Sequence, residues 1–283
     1  MKTNLVIGMA ANYDWAVLEP FIVSLRRSGY MGDCVLIFAE DPSPGFAAKL
    51  NQYRVEPLVR DLQGEHPILA RFRIIPEFLF QEAYSEYAPA IGTRDTGYVL
   101  AVDTRDVVFQ SNPFKWIEEK GIGEETVLVV SEGTRFSNND GNKRNLIEAF
   151  GPDKYGNMKD HWVCNAGVIG GDPISIHDLF LQIYALCQED LRRQNREPID
   201  MLPDQTALNL LIRLDACWNL KTKICTVRDE FVFGNHHYPL EFPIPSLRDG
   251  LLYLDDSITP VPIFHQYDQN QVFRDTVLTR WKE

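Results

Sequence analysis

Short apolar runs alternate with amphipathic stretches along the first half of the chain, and this alternation restricts the fold more than any other feature. The runs have the length of buried strands, whereas the stretches repeat apolar residues at helical spacing. The predicted strands are 5–10, 35–39, 54–59, 98–102 and 126–130, and the predicted helices are 15–29 (capped by Asp14), 46–53 and 68–87. Strands and helices that alternate in this way form parallel βαβ units. The sequence therefore predicts an α/β fold with a doubly wound, mainly parallel sheet.

The second half of the chain carries fewer regular signals. A strand is predicted at 163–170, followed by helices at 176–193 and 203–214. From 215 onward the sequence is rich in Pro, His and aromatic residues, which predicts irregular segments and short strands. No linker, repeat or low-complexity tract interrupts the 283 residues. A chain of this length can bury one large core, so we expect a single domain over 1–283 with an elaborated C-terminal half.

Charge and hydropathy exclude two classes of partner. The formal net charge is −12, whereas nucleic-acid binding needs clusters of Lys and Arg that neutralise phosphates. No apolar run reaches the roughly 18 residues of a membrane span, and the N-terminal run is too short for a signal peptide. The five cysteines are scattered without a C-x-x-C pair and predict buried thiols. These features favour a soluble cytoplasmic protein and do not indicate an oligomeric state.

Two carboxylates follow the predicted strand 98–102, in the segment Asp103-Thr104-Arg105-Asp106. In open α/β sheets, ligands bind outside the carboxyl ends of the strands. Carboxylate oxygens are the ligands that Mg²⁺ and Mn²⁺ prefer, and a metal held there could neutralise a diphosphate leaving group. A single Asp after a strand would more simply cap a turn, but a second acid favours a metal site.

Other motifs that would explain an acid after a strand are missing. A phosphatase of the haloacid dehalogenase type needs a second Asp two positions after the first, and that position is Arg105. The sequence also has no P-loop, no G-x-G-x-x-G turn after a strand and no G-x-S-x-G elbow. The phosphatase, NTPase, dinucleotide-binding and hydrolase classes are therefore disfavoured.

The segment that runs from the acidic strand end to Asn112-Pro113-Phe114 resembles the D-x-D region of the GT-A glycosyltransferases. Further segments resemble, in the same order, those of the glycogenin-like branch. They are 10–13 (Ala-Ala-Asn-Tyr), 164–168 (Cys-Asn-Ala-Gly-Val), 204–209 (Asp-Gln-Thr-Ala-Leu-Asn) and 264–267 (Phe-His-Gln-Tyr). The resemblance covers nearly the whole chain. It implies a GT-A type, Rossmann-like fold in which 1–114 binds the nucleotide and 115–283 binds the donor sugar and the acceptor.

The resemblance also implies a role for individual positions. Asp106 and His265 would ligate the metal together with Asp103, and a His ligand suits Mn²⁺ better than Mg²⁺. Of the two arginines on the helix before the acidic strand, Arg71 and Arg73, we prefer Arg73 as the donor contact. The other implied roles are nucleoside binding for Ala11, Asn12 and Tyr13, donor binding for Thr104, donor-sugar binding for Asn165, Ala166 and Gly167, and catalysis for Asp204 and Gln205.

Two positions depart from the family pattern. The acids are spaced Asp-x-x-Asp, with Thr104 where the first acid of the family would fall. The branch also carries a Gly and a Lys soon after the late His, whereas this chain continues from His265 as Gln-Tyr-Asp-Gln-Asn. The diphosphate contact of that lysine is therefore missing or comes from another residue, with Arg274 as one candidate.

The expected activity is the metal-dependent transfer of a sugar from a nucleotide sugar, UDP-linked by resemblance, to a hydroxyl acceptor such as another sugar of a glycan. The resemblance favours retention of the anomeric configuration; an inverting reaction would need a general base, for which Asp172, Asp204 and Asp229 are candidates. Two alternatives stay open. A sugar-nucleotide nucleotidyltransferase usually has a glycine-rich basic loop after its first strand, which 8–13 lacks. A non-catalytic carbohydrate-binding module would not need the two acids and His265 together.

Overall fold

The computed structural model of the protein describes residues 3–84, 96–123, 126–194, 203–213, 221–226, 229–234, 246–254 and 257–282. The strands are β1 (Thr3–Met9), β2 (Asp33–Phe38), β3 (Glu56–Val59), β4 (Thr96–Val102), β5 (Val107–Phe109), β6 (Thr126–Arg135), β7 (Trp162–Gly171), β8 (Lys221–Cys225), β9 (Val232–Gly234), β10 (Ser246–Arg248), β11 (Leu251–Tyr253) and β12 (Ile263–His265). The α-helices are α1 (Trp15–Arg27), α2 (Pro44–Gln52), α3 (Pro67–Tyr84), α4 (Pro113–Glu119), α5 (Asp140–Phe150), α6 (Pro152–Met158), α7 (Pro173–Gln194), α8 (Asp204–Arg213) and α9 (Gln271–Trp281). The predicted ends of two helices, Tyr87 and Leu214, lie outside the described residues.

A seven-stranded sheet in the order β3-β2-β1-β4-β7-β6-β8 forms the centre of the structure. β1 pairs in parallel with β2 and β4, β2 with β3, and β6 with β8. β7 runs antiparallel between β4 and β6. The predicted α/β fold with a mainly parallel sheet is confirmed, and the reversed strand β7 makes the sheet a mixed one.

Alternate side chains of the central strands face two helical layers. In β1, Leu5 and Ile7 belong to the same apolar cluster as Phe72 of α3 and Phe180 of α7. Val6, which points the other way, belongs to a second cluster that includes residues of α1 and α4. Because both faces of the sheet are covered at its centre, β1, β2 and β4 are apolar along almost their whole length, which is why they could be predicted. The edge strand β8, with exposed lysines, carries no such signal and was not located from the sequence.

The beginning of α1 follows the capping chemistry of its sequence. The Asp14 carboxylate accepts a hydrogen bond from the backbone N–H of Val17 at 3.0 Å and satisfies one of the first free donors of the helix. The helix ends at Arg27, and Gly29 then adopts a φ of +86° that favours glycine. The predicted cap and end of this helix are confirmed.

β6 continues to Arg135, five residues beyond the predicted end at 130. Its pairing with β7 shifts register between Ser131 and Arg135, and Gly133 adopts a φ of +70°. This irregular extension carries a polar side chain, Glu132, into the buried part of the sheet.

A second, three-stranded sheet joins segments that are far apart in the sequence, in the order β5-β12-β9. β12 pairs antiparallel with β5, so that His265 lies opposite Val107. Phe264, Phe273 and Trp281 belong to the apolar cluster between this sheet and α9. The register of the small sheet therefore brings His265 beside the acidic strand end. Among the described residues, no helix is long and apolar enough to cross a membrane.

Candidate metal centre

Three side chains with metal-ligand chemistry converge at the carboxyl edge of the central sheet. Asp103 follows β4, Asp106 precedes β5, and His265 ends β12. One ligand atom from each lies within 4.8 Å of the other two. Nε2 of His265 is 3.6 Å from Oδ2 of Asp103 and 3.7 Å from Oδ1 of Asp106. These separations are too long for good hydrogen bonds. The imidazole nitrogen and the two carboxylate oxygens therefore surround a space and do not bond to one another.

The backbone on both sides fixes this arrangement. Gln266 donates its N–H to the carbonyl oxygen of Asp106 at 2.7 Å and adopts a left-handed φ of 56° that ends β12 directly after His265. Thr104 donates its hydroxyl to the carbonyl oxygen of Met9 at 2.6 Å and is buried. Thr104, predicted to bind the donor, therefore ties the ends of β1 and β4 together and uses its hydroxyl proton within the protein.

The cluster could hold a divalent metal ion. Nε2 of His265 is buried and has no hydrogen-bond partner among the described residues. A buried nitrogen without a partner is costly unless another group satisfies it, and a cation between the imidazole and the two carboxylates would do so. Two carboxylate oxygens and one imidazole nitrogen are a ligand set that suits Mn²⁺.

Neighbouring charges shift the pKa values of the cluster in different directions. Loss of hydration would raise the pKa of Asp103, but the Arg71 guanidinium and the His265 imidazole hold it below its ordinary range. Burial raises the pKa of Asp106, and the nearby imidazole offsets only part of this effect. Burial would lower the pKa of His265, but Asp103 and Asp106 together raise it. The two carboxylates therefore favour the protonated imidazole, with which a bound cation would compete.

Gly167 of β7 forms the floor of the cluster. Its carbonyl oxygen accepts the N–H of Asp103 at 2.8 Å. A Cβ atom on this glycine would lie 2.5 Å from Cε1 of His265 and 2.6 Å from Oδ2 of Asp103. The predicted position of Gly167 close to a bound donor is therefore compatible with the structure, because any side chain here would enter the ligand cluster.

Gly167→Ala is expected to weaken Mn²⁺ binding by about 10- to 100-fold, the usual effect of displacing a group that supports metal ligands. The added methyl group would push His265 and Asp103 out of their common geometry. Titration calorimetry with Mn²⁺ measures the effect. Gly45→Ala is the matched control, since a Cβ atom there would meet nothing within 4 Å. Equal Mn²⁺ affinities for the two variants would show that Gly167 does not lie beneath the ion.

Arg71 of α3 links the cluster to α8. Its guanidinium forms an ion pair with Asp103 and a second one with Asp204 at 3.0 Å. The side chains of Arg71 and Asp204 are only 9% and 12% exposed. Burial raises the pKa of Asp204, and the arginine offsets part of that effect. Asp204, a predicted catalytic residue, is therefore connected to the metal ligand Asp103 through its ion pair with Arg71.

The structure corrects the choice between the two arginines of α3. Arg73 pairs with Glu65 at 3.0 Å and with Glu77 at 3.3 Å, away from the cluster. Residues two positions apart on a helix point about 200° apart around its axis. Only one of Arg71 and Arg73 can therefore face the acidic strand end, and it is Arg71.

A buried carboxylate that sequence analysis did not identify, Glu132 of β6, orients the neighbouring amides. Its Oε1 accepts from Nδ2 of Asn165 and from Nε2 of Gln205, both at 3.0 Å, and its Oε2 accepts from Nδ2 of Asn142 at 3.2 Å. A carboxylate only accepts hydrogen bonds, so each amide must turn its NH₂ group towards it. Oδ1 of Asn165 then faces the N–H of Gly167 at 2.5 Å.

Gln205, the second predicted catalytic residue, uses its amide within the protein. Besides Glu132, its Nε2 contacts Oδ1 of Asn142 at 2.9 Å, and its Oε1 accepts the N–H of Ala166 at 3.3 Å. Asn209, one turn later on α8, bonds both the N–H and the carbonyl oxygen of Cys164. α8 is thereby held on β7, and the predicted segments 164–168 and 204–209 are brought into contact.

Glu132→Gln is expected to lower the free energy of unfolding by about 1–3 kcal/mol, because an amide NH₂ group would replace an acceptor oxygen that faces other NH₂ groups. Urea denaturation measures the loss. Glu119→Gln, at an exposed position on α4, removes the same charge without a buried network and is expected to change stability by less than about 0.5 kcal/mol. Equal stabilities of the two variants would contradict the role of Glu132.

A cleft of about 150 Å³ opens beside the cluster. Ala11, Tyr13 and Ile68 line it together with both acids, so the cleft contains two of the three predicted nucleoside residues. Asn12 is exposed and has a left-handed φ of 65°, a conformation that Asn tolerates better than most residues. Asn12 shapes the turn between β1 and α1 and does not line the cleft.

Two of the three candidate general bases lie in structural contacts. Asp172 accepts two backbone N–H groups in the first turn of α7, each at 3.0 Å. Asp229 binds Lys223 at 2.8 Å and the N–H of Thr226 at 2.7 Å. Of the three, Asp204 is the one connected to the metal cluster, through Arg71.

Comparison with known proteins adds no family assignment. The chain matches no family model, and no curated protein matches it.

Proposed function

We propose that this protein is a divalent-metal-dependent glycosyltransferase of the GT-A type, which transfers a sugar from a nucleotide sugar, UDP-linked by resemblance, to a hydroxyl acceptor such as a glycan. The observation that carries the proposal is the convergence of Asp103, Asp106 and His265 around a buried imidazole nitrogen that has no other described partner. His265 comes from a distant segment, so local turn chemistry does not explain its position. A cleft with an aromatic wall adjoins the cluster.

The cleft offers surfaces for a nucleoside base next to the metal ligands. Tyr13 offers an aromatic surface on which a base can stack, and Ile68 offers an apolar one. Asp103 and Asp106 line the same cleft, so the diphosphate of a bound nucleotide would lie against the metal site. When bound, Mn²⁺ or Mg²⁺ supplies Lewis-acid stabilisation of the negative charge on the leaving diphosphate.

The residues of β7 and α8 support the donor-sugar side of the cluster. Gly167 has no side chain, which lets His265 and Asp103 lie directly against its backbone, and Glu132 fixes the amide of Asn165 in one orientation. Arg71 holds Asp103 and Asp204 in a fixed relation. Rigid placement of these carboxylates means that little reorganisation is needed when charge develops on the substrate.

Retention of the anomeric configuration is the stereochemical outcome we propose. An inverting reaction needs a carboxylate that acts as a general base to the acceptor, and Asp172 and Asp229 are committed to other contacts. If the product is inverted, Asp204 is the base to test. The anomeric proton coupling of the product, measured by NMR at early times, distinguishes the two cases.

Calorimetric titration with UDP and a panel of nucleotide sugars, with and without Mn²⁺, tests the function. We expect binding that requires the metal, transfer of sugar to an acceptor, and a stabilisation of about 2.7 kcal/mol when ligand is present at 100 times its Kd. Release of pyrophosphate from a nucleoside triphosphate and a sugar phosphate would instead identify a nucleotidyltransferase. Metal-independent binding of free sugar without affinity for nucleotides would identify a carbohydrate-binding module.

A further inference from the structure

Two arginines line the cleft beside the ligand cluster, and they differ in how firmly they are held. Arg71 is buried between Asp103 and Asp204. The side chain of Arg105 is 54% exposed, and its Nη2 approaches carboxylate oxygens of Asp106 and Asp268 only at 3.4 Å. Ion pairs of this length that involve a half-exposed arginine contribute little to stability. Arg105 therefore presents a loosely held guanidinium at the opening of the cleft.

Asp106 lies between Arg105 and His265, another member of the metal cluster. Its Oδ1 faces Nε2 of His265 at 3.7 Å, and its Oδ2 faces Arg105. A cation bound at Oδ1 would neutralise much of the carboxylate charge, so Arg105 would lose the stronger of its two counter-ions. The backbone of Arg105 stays anchored, because its carbonyl oxygen accepts the hydroxyl of Tyr267 at 3.2 Å. The side chain can thus turn towards another anion while the strand end keeps its shape.

The negative charge of a diphosphate requires a cationic side chain that is not already held in buried ion pairs. A divalent cation at the cluster would be balanced by the carboxylates of Asp103 and Asp106, and Arg71 is already paired with two acids. Among the described residues that line the cleft, Arg105 is the cation whose ion pairs are long and partly exposed. Arg274, the candidate from the sequence, is exposed on α9 and is not among the residues that line the cleft.

We propose that Arg105 binds the diphosphate of the nucleotide donor directly beside the metal ion. This inference rests on the proposed function. The planar guanidinium can donate two parallel hydrogen bonds to phosphate oxygens, and a donor this close to the metal contacts the part of the nucleotide that carries the leaving-group charge. Arg105 is then a substrate-binding residue inside the Asp103–Asp106 segment. It stands two positions after Asp103, where a dehalogenase-type phosphatase would have its second Asp.

Calorimetry in saturating Mn²⁺ with UDP and with uridine, on the full chain, tests the assignment. Arg105→Gln is expected to weaken UDP binding by about 10- to 100-fold, the range for a lost charge-assisted contact, and to leave uridine binding unchanged. Arg105→Lys, which restores a point charge without the planar fork, is expected to recover part of the loss. Binding of Mn²⁺ alone is expected to stay equal or become tighter, because a competing cation beside Asp106 is removed.

Each other outcome has a separate meaning. If wild-type protein binds UDP and Arg105→Gln binds it equally well, the inference fails and the proposed function stands. If Arg274→Gln shows the loss instead, Arg274 is the diphosphate contact and the inference fails. If Arg105→Gln loses Mn²⁺ affinity in the absence of nucleotide, the residue acts through the metal site and the direct contact is refuted. If the wild-type protein binds neither UDP nor GDP with Mn²⁺, the proposed function is refuted, and the inference that rests on it is refuted with it.

Discussion

Asp106→Asn is expected to abolish Mn²⁺-dependent transfer and to lower the rate by about a thousandfold or more. A catalytic metal contributes several kcal/mol of transition-state stabilisation, and each 1.36 kcal/mol is a factor of ten in rate. Asp106 is the more deeply buried of the two acids in the cluster, with a side chain 9% exposed against 37% for Asp103. Asparagine has the same shape but lacks the charge that holds a divalent cation. Initial rates across a Mn²⁺ titration measure the effect.

The stability of the same variant separates loss of the metal from loss of the fold. Burial raises the pKa of Asp106, which means that the surrounding structure disfavours its charge when no cation is bound. We therefore expect Asp106→Asn to unfold at an equal or higher temperature than the wild type without metal, and to show no further increase when Mn²⁺ is added. Asp153→Asn, an exposed substitution on α6, is the control that should keep the increase. Full transfer activity with unchanged Mn²⁺ dependence would refute the site.

The inner strands of the central sheet could be predicted because they are buried on both faces, unlike the edge strands β3 and β8. The runs 35–39 and 98–102 are apolar at nearly every position, and the observed strands Asp33–Phe38 and Thr96–Val102 end within one residue of the prediction. The reversed direction of β7 could not be read in this way, since a buried strand has the same composition whether its neighbours are parallel or antiparallel.

The two acids of the cluster are three positions apart in the chain, so the predicted end of β4 already placed them close together. The approach of His265 did not, because it depends on the pairing of β5 with β12, each only three residues long. Three apolar residues cannot be identified as a strand from their pattern. His265 was predicted as a ligand only through the resemblance to GT-A enzymes. The pairing of β5 with β12 is the physical reason for its position.

Helix phase explains why Arg73 was preferred to Arg71, and strand length explains why Glu132 was missed. α3 carries Arg71 and Arg73, and the phase that turns Arg71 inwards depends on how the helix packs on the sheet. Glu132 lay just beyond the predicted end of its strand, where a single acid more simply predicts the cap of a turn. Its burial depends on the irregular continuation of β6 to Arg135, which the apolar run 127–130 does not indicate.

Arg71→Met is expected to lower the free energy of unfolding by about 3 kcal/mol or more, because it leaves two carboxylates without their common cation. Removal of one partner from a buried ion pair usually costs about 3–5 kcal/mol, and Asp204 is almost fully buried while Asp103 is partly exposed. Urea denaturation at neutral pH measures the loss. Arg73→Met is the matched control on the same helix; it leaves Glu65 at 15% exposure but also Glu77 at 44%, so a smaller effect is expected.

Metal binding should respond to Arg71→Met in the opposite direction from stability. Without the guanidinium, Arg71 no longer competes with a metal ion for the carboxylate of Asp103, so Mn²⁺ affinity is expected to rise while the metal-free protein becomes less stable. Mn²⁺ would then restore more stability to this variant than to the wild type. Adding Asp204→Asn should recover part of the remaining loss, because it removes the carboxylate that the first substitution left unpaired. Equal losses for Arg71→Met and Arg73→Met, with no change in Mn²⁺ affinity, would show that Arg71 does not hold the two acids together.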